Sequence, residues 1–296
     1  MLIDALELED NAIVDADLCI MGAGAAGISI AREFHGTKLN VCLLEGGGFV
    51  YDEFSRKLYD GVSRGTYLVD WMHYVDGTRI RCFGGSTGHW VGWSRPLDDL
   101  DFEVRPWIAH SGWPFKSNRL KPYYKRAAPL LEVKPFGYDP ASVVPGFAGH
   151  TFLDNSPEFS TDFFHLSPPT RFGDRYRKDI VSSSNIRLFL NANITNIDCT
   201  GEAKSATQLE VKTKKQTTFT VRAKYFVLAL GGIENARMLL LSDKVQQNGL
   251  GNDHDLVGRF FTDHPHVNFG SVLFFDHDPA LRFFDPFTPE GFNHHI

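Results

Sequence analysis

Cysteine is scarce in this chain: four in 296 residues, Cys19, Cys42, Cys82 and Cys199. They form no CxxC pair and no zinc-ligand spacing, which excludes a dithiol redox centre and a structural metal site of the usual kind. Long apolar runs are missing too. Stretches such as "YFVLALGGI" (Tyr225–Ile233) are far too short to cross a bilayer. There is no excess of positive charge, for the net charge is −6 with both signs interspersed. No nucleic-acid footprint is therefore expected. The acidic opening "MLIDALELED" lacks a basic n-region, so no secretory leader is expected there. With reduced thiols this gives a cytoplasmic protein as the expectation. Repeats and low-complexity tracts are also lacking.

What is present reads as globular: 43% hydrophobic and 22% charged residues, in a chain long enough for one large domain or two ordinary ones. The first fifty residues are the most legible. Asp17–Met21 is a short apolar strand, Ala26–Phe34 a helix stopped by Gly36, and Asn40–Leu44 a second buried strand. Such a βαβ unit implies a parallel sheet. From Tyr51 to Arg95 the chain is rich in glycine and aromatics, which suggests ordered loops around a ligand. A helix is expected over Asn118–Leu131, capped by Ser117 or Asn118, with Pro122 in its first turn and Pro129 kinking or ending it. Lys134–Pro169 reads as an irregular insertion or lid. Arg175–Ser182 reads as a short helix and Ile186–Leu190 as a strand. "TQLEVKT" and "TTFTVRA" around "KKQ" read as an antiparallel hairpin. "YFVLAL" then reads as a buried strand leading into a helix that opens with "GGIENARMLLL". From Arg259 onward the sequence is strand-like and rich in Phe.

The chemistry-bearing stretch is "GAGAAG", which sets Gly22, Gly24 and Gly27, with Ala25 and Ala26, between the first strand and the first helix. The three glycines suit a tight turn, close backbone approach to a pyrophosphate, and close helix–strand packing. The helix N-terminus offers free N–H groups to phosphates. "LLEGG" follows with Glu45, 18 residues past Gly27 and beside Gly46, where an acid accepts ribose hydroxyls. A carboxylate there argues for a free 2′-hydroxyl and serves NAD or FAD alike. The returning "VLALGGIENAR" segment, with Ala229 and Gly231, and the lack of a second GxGxxG favour a single dinucleotide, FAD.

Several segments together resemble the glucose–methanol–choline (GMC) oxidoreductases. They are "CIMGAGAAGISIAREF", "LLEGG", "RCFGGSTGHWVGW", "HSGWPFKSNRLKPYYKRA", "RFG", "ALGGIENARMLLLS" and "LVGRFFTDHP". Within that family the similarity is to the branch holding pyranose 2-oxidase and the fructose, gluconate and sorbitol dehydrogenases. The resemblance implies an α/β, Rossmann-like FAD-binding fold: a parallel sheet, an antiparallel β-meander, and an irregular insertion with the start of a substrate domain. In residue ranges this means a first FAD-binding segment over 1–100, the insertion over 101–174, a second FAD-binding segment with the meander and returning strand over 175–266, and a substrate-domain start over 267–296.

It also implies that Gly84, Gly85 and Ser86 lie against the isoalloxazine or pyrophosphate, with Arg81 offsetting phosphate charge. His89, beside Trp90, matches the position of a histidyl-flavin bond. The plainer alternative, that His89 bonds a carbonyl and packs between Trp90 and Trp93, stays open. The activity implied is hydride transfer to FAD from a CH–OH group of an alcohol, polyol or sugar, with an electron acceptor or a missing domain as a further partner. The family's catalytic histidine and its Asn or His partner are expected beyond "GFNHHI". No catalytic residue is assigned, and an activity-free FAD-binding protein is the alternative. His264, His266, His294 and His295 are expected not to replace that base.

Overall fold

The computed structural model describes residues 1–64, 74–134 and 164–263, together with the backbone of 294–295. The chain opens with strands β1 (Leu2–Asp4) and β2 (Ala12–Met21), helix α1 (Ala25–Glu33) and strand β3 (Val41–Leu44). Short helices α2 (Glu53–Lys57) and α3 (Tyr74–Gly77) follow, then a 3-10 turn at Gly85–Gly88. Strand β4 (Trp93–Ser94), helix α4 (Lys121–Leu130) and strand β5 (Phe164–Leu166) come next. After them run α5 (Phe172–Arg175), α6 (Arg177–Val181), β6 (Ile186–Leu190), β7 (Asn193–Cys199), β8 (Ala206–Lys212), β9 (Thr218–Leu228) and α7 (Gly232–Leu241), with β10 at His294–His295.

Two compact units share these elements. The first is built from Met1–His89 and Arg171–Asn268, the second from Trp90–Thr170 and Phe269–Ile296. The first holds a seven-stranded sheet in the order β1-β6-β3-β2-β9-β8-β7. From β1 to β9 every pairing is parallel, and β9-β8-β7 closes the sheet as an antiparallel meander. Successive side chains of a strand face opposite sides, and β2 uses both. Cys19 and Met21 join Cys42, Leu44, Phe189, Leu209, Val211 and Phe219 in one buried layer. Leu18 and Ile20 lie on the other face, the side of α1, whose Ile28 and Ala31 are fully buried. α1 packs against β2 and β3, and α6 packs against β6 and α1. Each fully buried Ile or Leu in these layers contributes about 1.5–3 kcal/mol. Two buried faces explain why the parallel strands read as unbroken apolar runs. Asn185 secures the far end of α1: its Nδ2 donates to the carbonyls of Phe34 and Leu39, and its Oδ1 accepts the Gly36 N–H.

The second unit holds a small antiparallel sheet, β10-β5-β4. α4 lies in the same unit, as does an aromatic group of Phe102, Trp113 and Phe115 with ring centroids 5.5–6.1 Å apart.

Several sequence expectations are corrected here. "YFVLAL" is no separate buried strand. It is the far end of β9, the same strand that forms the second arm of the hairpin, and Tyr225 on it is 70% exposed. The first strand extends back to Ala12, because its outer half pairs with the hairpin arm at Phe219–Ala223. Arg175–Ser182 splits into α5 and α6 at Tyr176, whose φ of −111° and ψ of 2° break the helical path. Neither Ser117 nor Asn118 caps α4 with its side chain, since a 3-10 turn over Ser117–Leu120 leads straight into it. Pro122 does sit in its first turn, and α4 stops one residue after Pro129. Strands β1 and β7 had no sequence signal strong enough to mark them. Of Lys134–Pro169, residues 135–163 lie outside the described residues, as do His264 and His266.

Candidate functional site

The turn from β2 into α1 is the centre of the site. Gly22 adopts φ +99°, and a Cβ there would stand 2.6 Å from the Ala229 carbonyl oxygen at the end of β9. A Cβ on Gly27 would stand 1.8 Å from the Gly22 carbonyl oxygen, so only glycine lets α1 start this close to the turn. Gly24 is the N-cap of α1 and makes no side-chain cap bond. The first N–H groups of the helix, and the positive end of its dipole, therefore stay available to an anion.

Glu45 directly follows β3 and is only 6% exposed. Its Oε2 accepts the Ala23 N–H at 3.1 Å and its Oε1 accepts the Gly47 N–H at 2.9 Å. The carboxylate thus ties the glycine turn to the end of β3 and keeps lone pairs for a further donor. Burial pushes its pKa above the ordinary carboxylate value, while the Gly47 amide, the Arg81 charge and the Ala23 amide pull the other way.

A second glycine loop meets the first. Gly84 at φ +100° lies against the Gly173 backbone, and the Gly85 N–H donates to Cys82 O. The Gly84 N–H donates to Ala23 O at 2.8 Å, joining the two glycine turns directly. Thr87 fastens this loop from below, donating to Gly84 O and accepting the Phe172 N–H. Arg81, just before the loop, donates from Nε and Nη2 to Asn193 Oδ1 on β7.

Around these turns lies a cavity of about 510 Å³, within the size range of cofactor and ligand sites. Of the residues selected from sequence, Gly22, Gly24, Ala25, Ala26, Glu45, Gly46, Arg81, Gly85, Ser86, Ala229 and Gly231 line it. Gly27 and Gly84 lie behind the wall, where their lack of a side chain sets the spacing of backbones. His89 and Trp90 are not among the lining residues. The His89 Nε2 lies 3.2 Å from the Thr78 carbonyl oxygen, and Trp90 Nε1 donates to Thr170 O. Trp93, on β4, lies tilted against the Phe164 ring.

Sequence reasoning missed Tyr59, Arg79, Glu234 and Arg237, which also line the cavity. Arg79 and Arg81 lie over the Tyr59 ring at 4.0 and 5.2 Å, and Arg79 pairs with Glu234 at 2.9 Å. Only the "IE" after the glycines of "GGIENAR" hinted at an acid in the first turn of α7, and nothing local marked its partners. No histidine is among the described residues lining the cavity. No group of three or more potential metal ligands occurs among the described residues, and no helix among them is long and apolar enough to cross a membrane.

No protein-family model matches the chain, and no curated protein matches it. Solved structures do. A formate oxidase superposes with a TM-score of 0.52 at 16% identity, covering 79% of this chain and 48% of that one. A pyridoxine 4-oxidase from Mesorbium loti gives 0.49 at 19% identity, over 76% of this chain and 51% of that one. An Aspergillus oryzae formate oxidase variant studied for its effect on FAD modification gives 0.49 at 16% identity, over 79% and 48%. The chain spans about half the length of these structures. The first of these similarities is one of fold alone: a mostly parallel sheet extended by antiparallel strands.

Proposed function

We propose that the cavity between the two glycine loops holds FAD and that the chain is the cofactor-binding portion of a GMC-type oxidoreductase acting on CH–OH groups. The observation that carries this reading is the shared wall. The uncapped N-terminus of α1, the Glu45 carboxylate and the Gly24–Gly85 contact line one cavity, in a fold of FAD-binding type. The fit follows from the donor set. A diphosphate meets backbone N–H groups at the start of α1, where even a Cβ built on Gly24 would meet nothing nearer than the Gly85 Cα at 4.0 Å. A ribose hydroxyl donates to Glu45, whose two amide partners hold it in place. Arg81 adds a compensating positive charge at the same wall.

Bound FAD supplies a two-electron acceptor for the hydride that leaves the hydroxyl-bearing carbon as the alcohol becomes a carbonyl. The residues present bind and orient that group and assign no base for the hydroxyl proton. The substrate class, alcohols, polyols or sugars, rests on the sequence resemblance. Four segments follow from the same reading: a cofactor half over 1–100, an insertion over 101–174, the returning cofactor half over 175–266 and the start of a substrate domain from 267.

The test is an absorbance spectrum of the purified chain after incubation with FAD, repeated on pellet and supernatant after acid precipitation. A bound flavin spectrum is expected. A chain that stays colourless refutes the reading. Flavin in the pellet, lost on His89→Ala, establishes a covalent bond through His89. Flavin released to the supernatant leaves His89 as a polar neighbour bonded to Thr78.

A further inference from the structure

Glu234 lies in the first turn of α7, with its side chain 7% exposed, and faces three guanidinium groups. Its Oε1 meets Arg79 Nη1 at 2.9 Å, and its Oε2 lies 3.4 Å from Arg237 Nη1 and 3.9 Å from Arg81 Nη1. Arg79 and Arg81 are nearly buried, at 14% and 15%, while Arg237 is half exposed at 53%. Arg79 is held on three further sides: its Nε donates to Val75 O, its Nη2 reaches Tyr59 O at 3.5 Å, and its guanidinium covers the Tyr59 ring. These groups come from two distant stretches of the chain and line the same cavity.

The charges there do not balance. Arg79, Arg81 and Arg237 line the cavity with two carboxylates, Glu234 and Glu45, and the N-termini of α1 and α7 both open on it without side-chain caps. A cavity of this sign suits an anion. A flexible arginine loses rotamer freedom when it engages a ligand, and one already fixed by a carboxylate and a ring does not. We infer that Glu234 is a positioning residue for the dinucleotide: by holding Arg79, and through it the strip leading to Arg81, it keeps guanidinium charge fixed on the cavity wall for the diphosphate. This rests on the FAD reading above.

The sign of one substitution tests it. Through-space electrostatics alone predicts that removing a negative charge from a cavity that takes a dianion tightens binding. Positioning predicts the reverse. The 296-residue chain, as wild type, Glu234→Gln, Arg79→Gln, the double variant and Arg237→Gln, is titrated with FAD by flavin fluorescence, and each apo chain is melted in parallel. Glu234→Gln is expected to raise the FAD Kd by about tenfold or more, as loss of a buried charge partner does. The double variant should bind within about twofold of Arg79→Gln alone, because Glu234 acts through that arginine. Arg237→Gln should weaken FAD binding less than Arg79→Gln does, because Arg237 is half exposed and solvent-screened.

Unchanged or tighter binding by Glu234→Gln overturns the inference, as do additive losses in the double variant. A lower apo melting temperature with an unaltered Kd also overturns it, because that outcome marks a purely structural pair. If Glu234→Gln does not fold, Arg79→Lys, which keeps the charge and loses the fork, must itself weaken FAD binding. A wild-type chain that binds no FAD defeats the cofactor reading instead, and is told apart by that result alone.

Discussion

Replacing Gly27 and Gly24 separately by alanine distinguishes the structural task of the first glycine turn from its ligand task. A Cβ on Gly27 would stand 1.8 Å from the Gly22 carbonyl oxygen, and ordinary contact begins at 3.4 Å, so α1 must retreat by about 1.6 Å. The obstacle is backbone and cannot rotate aside. It is also held, since the Gly22 N–H donates to Leu44 O at 2.8 Å. Alanine in place of glycine favours a helix interior by about 1 kcal/mol, whereas overpacking of this kind costs about 1–3 kcal/mol. The overlap is deep enough that the second effect should win. We expect Gly27→Ala to lose about 2 kcal/mol, lowering the melting temperature of the apo chain by about 4–8 °C, and to weaken FAD binding as the helix N-terminus moves. Gly24 differs. Its φ is −80°, which any residue adopts, and a Cβ there would meet only the Gly85 Cα, at 4.0 Å. Gly24→Ala should melt within about 1 °C of wild type and yet bind FAD about tenfold more weakly, since the methyl stands where the diphosphate approaches. Circular-dichroism melts and a fluorescence titration decide both. A Gly27→Ala chain that melts at or above wild type, or a Gly24→Ala chain that binds FAD as tightly as wild type, refutes the reasoning.

Three further outcomes follow from the same geometry. Thr87→Val strands the Gly84 carbonyl and the Phe172 N–H inside the protein, and chemical denaturation should show a loss of about 1–3 kcal/mol. Asn185→Ala removes three bonds at the end of α1; a loss of about 1–2 kcal/mol is expected, with faster amide exchange at Gly36 as the local readout. Glu45 gives the pH dependence. Its folded pKa lies above the ordinary 4.5, so above that pH the folded chain holds a proton that the unfolded chain has lost. The Glu45 contribution to apo stability therefore declines as pH rises through this window. FAD affinity should rise over the same window as the ionised carboxylate becomes available to the ribose. Glu45→Gln should flatten both profiles, and denaturation and titration from about pH 4 to 8 read them. Profiles unchanged in the variant would assign the pH dependence elsewhere.

Local patterns along the chain were enough to mark most of the seven-stranded sheet and the first and last helices packed with it. The βαβ opening, the glycine turn, the Glu45 position and the hairpin leading to a glycine-started helix were legible, because the cause of each lies within a few residues. Where reading failed, the cause was a neighbour distant in sequence. The end of β9 reads as a buried strand from its apolar letters, yet Tyr225 is exposed, since burial depends on what covers a strand and not on its own composition. β1 and β7 have weak patterns of their own and are fixed by pairing with β6 and β8. The second half of the cavity wall belongs to this class. Arg79 and Glu234 stand 155 residues apart and meet at 2.9 Å, a pairing of two charged residues that no periodicity encodes. The turn's own backbone requires Gly27, whereas the fold sets the Ala229 and Gly173 neighbours of Gly22 and Gly84 and chooses which charges face the turn, because Arg79 and Glu234 meet only once distant segments pack together.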